Sequence, residues 1–162
     1  MPKRLHHRNM REYPTHPLVG IGVIVWKQED VLLVKRGQPP RQGQWSIPGG
    51  LQKLGETIFE TAIREVLEET NVIIKPDKVI TVVDAIEHDQ MERLQYHYTL
   101  IEIAATYEKG VLSAADDISD TCWIAWTNVA TLVEWETTID VIRFAAHQRN
   151  NQECSFSFTD QP

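Results

Sequence analysis

From Leu18 to Trp26 the chain is almost continuously apolar and rich in β-branched residues, the pattern of a strand covered on both faces. Lys27–Asp30 is a polar turn, and Val31–Arg36 returns as the hairpin partner. A proline- and glycine-rich loop, 37–43, precedes Gln44–Pro48, a short strand that feeds Gly49-Gly50. The period then changes. Phe59, Ala62, Ile63, Val66, Leu67 and Thr70 recur at three- and four-residue spacing, which predicts a helix from about Glu56-Thr57 with that stripe turned toward a core. Lys75-Pro76-Asp77 predicts a turn, Val79–Ile86 a strand, Glu87–Glu92 a loop and Arg93–Ala105 a long strand. Beyond a loop over Tyr107–Ser119, Thr121–Trp126 reads as a strand. Thr127-Asn128 caps a short helix to about Trp135, and Thr137 or Thr138 opens a last helix to about His147. Strands mixed with helices argue an α/β fold with a sheet between helices.

Composition narrows the class. A chain of 162 residues, 42% hydrophobic, fits one domain that buries roughly 70% of its unfolded surface. That domain is expected over residues 13–148, between a flexible basic tail (1–12) and a flexible polar tail (149–162). The net charge of −7 offers no global field for a long nucleic acid, so an anionic ligand would need local Arg, Lys or metal. No apolar run reaches the ~18 residues that span a membrane, and the N-terminus lacks a secretory h-region. Cys122 and Cys154 have no metal-ligand spacing and read as reduced thiols. A cytoplasmic protein is the expectation.

The chemistry concentrates on the helix. Glu65, Glu68 and Glu69 lie three and four apart and share one turn, on the face opposite the apolar stripe. Carboxylates about 5 Å apart repel by roughly 3 kcal/mol at an effective dielectric near 20. Such crowding beside a glycine pair suits a bound cation, and oxygen-only donors point to Mg²⁺ or Mn²⁺ rather than zinc. The Gly49 carbonyl is a further hard-ion donor. Arg36 and Arg41, at the base and in the body of the 37–43 loop, suit phosphate by their forked donors. Ordinary surface charge is the plain alternative for both.

Gly50, Glu56, Arg64-Glu65 and Glu68-Glu69, at the spacing they have here, resemble the Nudix box. The family's glycine after the helix is Asn71 in this chain, a residue that also tolerates left-handed backbone. The resemblance implies an α/β/α sandwich with a mixed β-sheet, across about residues 18 to 148. It implies hydrolysis of nucleoside diphosphates linked to another moiety, by water attack on phosphorus with a divalent metal. Carried over, Glu65, Glu68 and Glu69 look like metal ligands joined by the Gly49 carbonyl. Arg64 looks like the residue that steadies the carboxylates, and Glu56 like a partner at the helix start. Many relatives take a further acid from a loop before a strand reading acid-x-x-x-x-x-Trp. Asp116 and Asp117 precede Trp123 here, and Asp117 has the family's spacing. Mere solvation of the loop is the alternative.

Trp45–Gly50, Leu54–Thr57 and Tyr96–Tyr98 resemble bacterial ADP-ribose pyrophosphatases. The substrate implied is ADP-ribose or a related nucleotide sugar. One alternative is a nucleoside triphosphate pyrophosphohydrolase, and another a non-catalytic nucleotide-binding regulator. Retention of all three glutamates argues against the regulator. Many relatives are dimers, so a homodimer is suggested by resemblance alone.

Overall fold

The apolar run at 18–26 sits at the centre of the sheet. In the computed structural model, which describes residues 11–151, it forms β1 (Leu18–Lys27). Ile21, Val23 and Val25 face one core layer, and Ile24 and Trp26 the other. Then follow β2 (Asp30–Arg36), β3 (Trp45–Ser46), β4 (Gly49–Leu51), helix α1 (Ile58–Thr70), β5 (Ile73–His88), β6 (Leu94–Lys109) and β7 (Ile118–Ala125). A 3₁₀ turn (Trp126–Thr131) leads into α2 (Glu136–Asn150). The sheet order is β3-β2-β1-β6-β5, with β4 added to β1 and β7 to β2. β1 and β6 are parallel from Leu18↔Tyr98 to Trp26↔Thr106, and the other pairs are antiparallel, so the sheet is mixed.

One layer joins Ala62 and Val66 of α1 to Ile21, Val23, Val25 and Ile103. The other joins Ile139, Ile142 and Ala145 of α2 to Ile24, Trp26 and Leu33. The α/β/α sandwich follows from a strand with no polar face. Val23, Ile24, Val25, Val31, Leu32 and Leu33 are each 0% exposed, and such burial is worth roughly 1.5–3 kcal/mol per side chain. No helix among the described residues is long and apolar enough to cross a membrane.

The feature that makes the site is a split in the sheet. β1 pairs with β2 only at Trp26↔Val31 and Lys27↔Asp30. Farther toward its N-terminus β1 pairs with β4, while the far end of β2 pairs with β3. Between them the chain crosses at Ile47-Pro48, and a cleft of about 340 Å³ opens there.

Several expectations change. Of the expected α1 stripe, Ala62, Val66 and Thr70 are buried, but Phe59, Ile63 and Leu67 are 38–43% exposed. Glu69, expected on the opposite face, is buried beside the small residues at 5% exposure. Lys75-Pro76-Asp77 is not a turn but part of β5, at a register shift between Pro76 and Lys78. An edge strand tolerates proline because its outward N–H has no partner to lose. β6 runs to Lys109, β7 begins at Ile118, and the short helix before α2 is a 3₁₀ turn. Arg11 and Glu12 belong to the packed domain, since Glu12 accepts a 2.6 Å hydrogen bond from the Tyr96 hydroxyl. At the other end, Arg149 donates to the Gln28 carbonyl at 2.7 Å and covers Trp26. Asn150 ends α2 and Asn151 caps it, while residues 1–10 and 152–162, with Cys154, lie outside the described residues.

Candidate active site

Thr57 caps α1 with a reciprocal capping box. Its hydroxyl accepts from the Glu60 amide, and the Glu60 carboxylate accepts from the Thr57 amide at 2.7 Å. Asn71 closes the other end in left-handed geometry (φ 59°), its amide donating to the Leu67 carbonyl at 3.0 Å. Asparagine in place of the family's glycine therefore leaves the cap intact.

Between these caps Arg64 is a hub. Its Nε and Nη2 donate to Glu56 at 2.6 and 2.9 Å, and its Nη1 to Glu65 at 2.6 Å and Glu68 at 3.2 Å. Its Nη2 also reaches the Leu51 carbonyl of β4 at 3.1 Å, tying helix to strand. Glu56, held by Arg64, drops to a pKa of about 2. The Glu65 carboxyl lies against Gly50, where any Cβ would collide with it. Gly49 is equally constrained, since a Cβ there would strike the Ile21 carbonyl of β1.

Burial raises Glu65, and it pushes Glu69 up to about 8, with Glu65 and Asp117 adding to the effect. The Gly49 amide, 3.1 Å from Glu69 Oε2, opposes that shift only in part. Glu68 is the exposed member of the group, its side chain 44% accessible. Asp117 arrives from the loop after β6. The Ser113 and Ala115 amides donate to the Thr70 and Glu69 carbonyls at 3.0 Å, satisfying the open end of α1 and docking the loop on it. The Asp117 carbonyl accepts from Gly37 at 2.7 Å.

Glu65, Glu68, Glu69, Arg64, Gly49, Asp117, Arg36 and Arg41 all line the one cleft. The two arginines are already engaged. Arg36 Nε donates to the Pro40 carbonyl at 2.8 Å, and its charge lowers Glu69. Arg41 pairs with Glu87 and lies 3.6 Å above the Trp135 ring. Sequence reasoning missed Glu87, Trp135 and Glu102, which share the cleft. Glu102 had a signal: it is the single charge in the apolar run Leu100–Ala105 of β6.

The donor set fits a hard divalent ion. It is oxygen throughout, and burial, with Glu65 and Asp117 nearby, pushes Glu69 up to about 8, so a cation would relieve the site. Among the described residues no three acidic, His or Cys side chains converge as a closed ion cage. Arg64 draws Glu65 and Glu68 to itself, and the Gly49 amide holds Glu69.

The sequence profile of the NUDIX domain matches residues 16–147. Over 132 residues the chain is 28% identical to the ADP-ribose pyrophosphatase of Methanocaldococcus jannaschii, covering 80% of this chain and 76% of that one. Relatives from Bacillus subtilis, Photorhabdus laumondii and Homo sapiens match over 45%, 26% and 20% of their own length. The crystal structure of the MutT protein from Bacillus halodurans superposes with a TM-score of 0.68 at 25% identity, covering 80% of this chain and 82% of that one. The NUDIX domain of Shewanella oneidensis NrtR, solved with ADP ribose, gives 0.66 at 20% identity, with 83% and 90% covered. The chain belongs to the Nudix family, hydrolases of the phosphoric anhydride bond that act on small nucleotides and generally use divalent metal ions.

Proposed function

We propose that this protein is a Mg²⁺-dependent pyrophosphohydrolase of ADP-ribose or a related nucleotide sugar. The observation that carries the reading is that Glu65, Glu68 and Glu69 of α1 all line the cleft, Glu65 against Gly50 and Glu69 within 3.1 Å of the Gly49 amide. The substrate follows the Methanocaldococcus jannaschii relative, named an ADP-ribose pyrophosphatase and matched over most of both chains. The NrtR domain, solved with ADP ribose, shares the fold.

Glu65, Glu68 and Glu69 with the Gly49 carbonyl would hold Mg²⁺, with Mn²⁺ as a substitute of similar ligand preference. When bound, the ion neutralises the diphosphate and acidifies water. Arg64 sets the carboxylates, holding Glu65 and Glu68 in register with Glu56 and β4. Arg36 and Arg41 take the phosphate oxygens, Arg41 by exchanging Glu87 for substrate. Asp117 acts as the base, taking the proton of the attacking water as its oxygen bonds to phosphorus and the bridging P–O bond breaks. The products are AMP and ribose 5-phosphate.

The test is turnover of a nucleotide panel by the full chain with Mg²⁺, with products identified. AMP and ribose 5-phosphate from ADP-ribose are expected. A second reading is cleavage of nucleoside triphosphates, which the same helix acids and glycine pair would serve. Pyrophosphate released from triphosphates, with ADP-ribose left intact, would establish that one.

A further inference from the structure

We propose that Glu102 reads the nucleobase, its carboxyl pairing with the edge of adenine that carries the 6-amino group and an adjacent ring nitrogen. The inference rests on the ADP-ribose reading and concerns the same cleft. Glu102 lies mid-β6, is 5% exposed, and lines the cleft. Its Oε2 is the one buried side-chain oxygen or nitrogen without a hydrogen-bond partner among the described residues. Desolvating an acceptor and leaving it unpaired is costly, so a ligand that supplies the partner gives the arrangement a reason.

The surroundings make room for that carboxyl. Gly22 lies opposite it across the parallel pair, and a Cβ on Gly22 would collide with the Glu102 carboxylate and with Ile47. Leu100 covers Gly20 in the same way one step along the strands. Tyr98, four residues back on the same strand, lines the same cleft and offers aromatic surface to a flat ring. Burial alone holds the Glu102 carboxyl up to about 7, with neither a cation nor another acid contributing. At Glu69, by contrast, Glu65 and Asp117 add to the effect of burial. A carboxyl that keeps its proton offers one donor and one acceptor side by side. Those are the complement of an amino group beside a ring nitrogen.

Calorimetric binding of AMP and of purine riboside 5′-monophosphate, which lacks the 6-amino group, tests this in the full-length chain. The wild type should prefer AMP by about tenfold, as for a site built around one polar contact. E102A should bind both nucleotides alike, at the weaker constant. E102Q, whose carboxamide also presents one donor and one acceptor, should keep the preference. In turnover, the E102A loss should fall on KM rather than kcat, and thermal melting checks that each variant is folded. Equal affinities in the wild type would overturn the proposal. So would an equal loss for both nucleotides in E102A, or a kcat collapse in E102Q, which would place Glu102 among the hydrolytic groups. Should the wild type prefer AMP yet leave ADP-ribose intact, the substrate reading fails and Glu102 keeps its role. Turnover of ADP-ribose with no preference for AMP gives the converse.

Discussion

A carboxyl that is 5% exposed and holds its proton to about pH 8, as Glu69 does, is a poor structural element and a good seat for a cation. Glu69→Gln should fold normally, because the amide oxygen can accept from Gly49 as the carboxylate does. Its kcat with Mg²⁺ should fall by about a hundredfold or more. Unchanged turnover in a steady-state assay would remove Glu69 from the metal site. Glu102 makes a different prediction. Replacing it with Met removes a desolvated oxygen of similar volume and should stabilise the chain by about 1 kcal/mol in urea unfolding, at the expense of AMP affinity. The helix acids were legible in the sequence because spacing of three and four fixes a shared turn whatever the helix packs on. Glu102 was not, because one acid in an apolar strand says nothing about which strand lies beside it. Its meaning depends on Gly22, placed opposite only by the β1–β6 pairing.

The same limit governs the helix as an element. Periodicity placed α1 and its caps, but not which part of its wide apolar arc meets the sheet. Small Ala62 and Thr70 let the backbone come close to the strands, and this turns Phe59, Ile63 and Leu67 outward while drawing Glu69 in. Pro76 reads as a turn in the sequence because nothing in its neighbours marks β5 as the sheet edge, where a proline is harmless. The cap gives a sharp test. Asn71 holds φ 59° without strain, and its Nδ2 donates to the Val111 carbonyl at 3.0 Å. Asn71→Gly should stay within about 0.5 kcal/mol of wild type, whereas Asn71→Val should cost about 1–2 kcal/mol in chemical denaturation. Because the 113–117 loop hangs from the last carbonyls of α1, the valine variant should also lose kcat as Asp117 drifts. Full activity in a destabilised Asn71→Val protein would separate Asp117 from the chemistry.

Across the folded chain these local choices sum to a pH dependence. Glu69 and Glu102 are raised to about 8 and about 7 by burial, above the ordinary glutamate value of 4.5. From pH 4.5 upward the unfolded chain releases these protons while the native state keeps them, so the native state binds more protons and its stability falls as pH rises. Each such group costs about 1.4 kcal/mol per pH unit until its native pKa is passed. Glu56, lowered to about 2 by Arg64, acts in the opposite sense but only below that window. Metal-free protein should therefore unfold at lower urea at pH 8 than at pH 5.5. Mg²⁺ should offset part of this loss at pH 8. At a hundredfold excess over Kd it adds about 2.7 kcal/mol. At pH 5.5 the gain should shrink, because Glu69 must first give up its proton. Urea midpoints at the two pH values, with and without Mg²⁺, decide the matter. An ion effect of equal size at both would mean that cations bind elsewhere, and the acidic wall of the cleft would need another explanation.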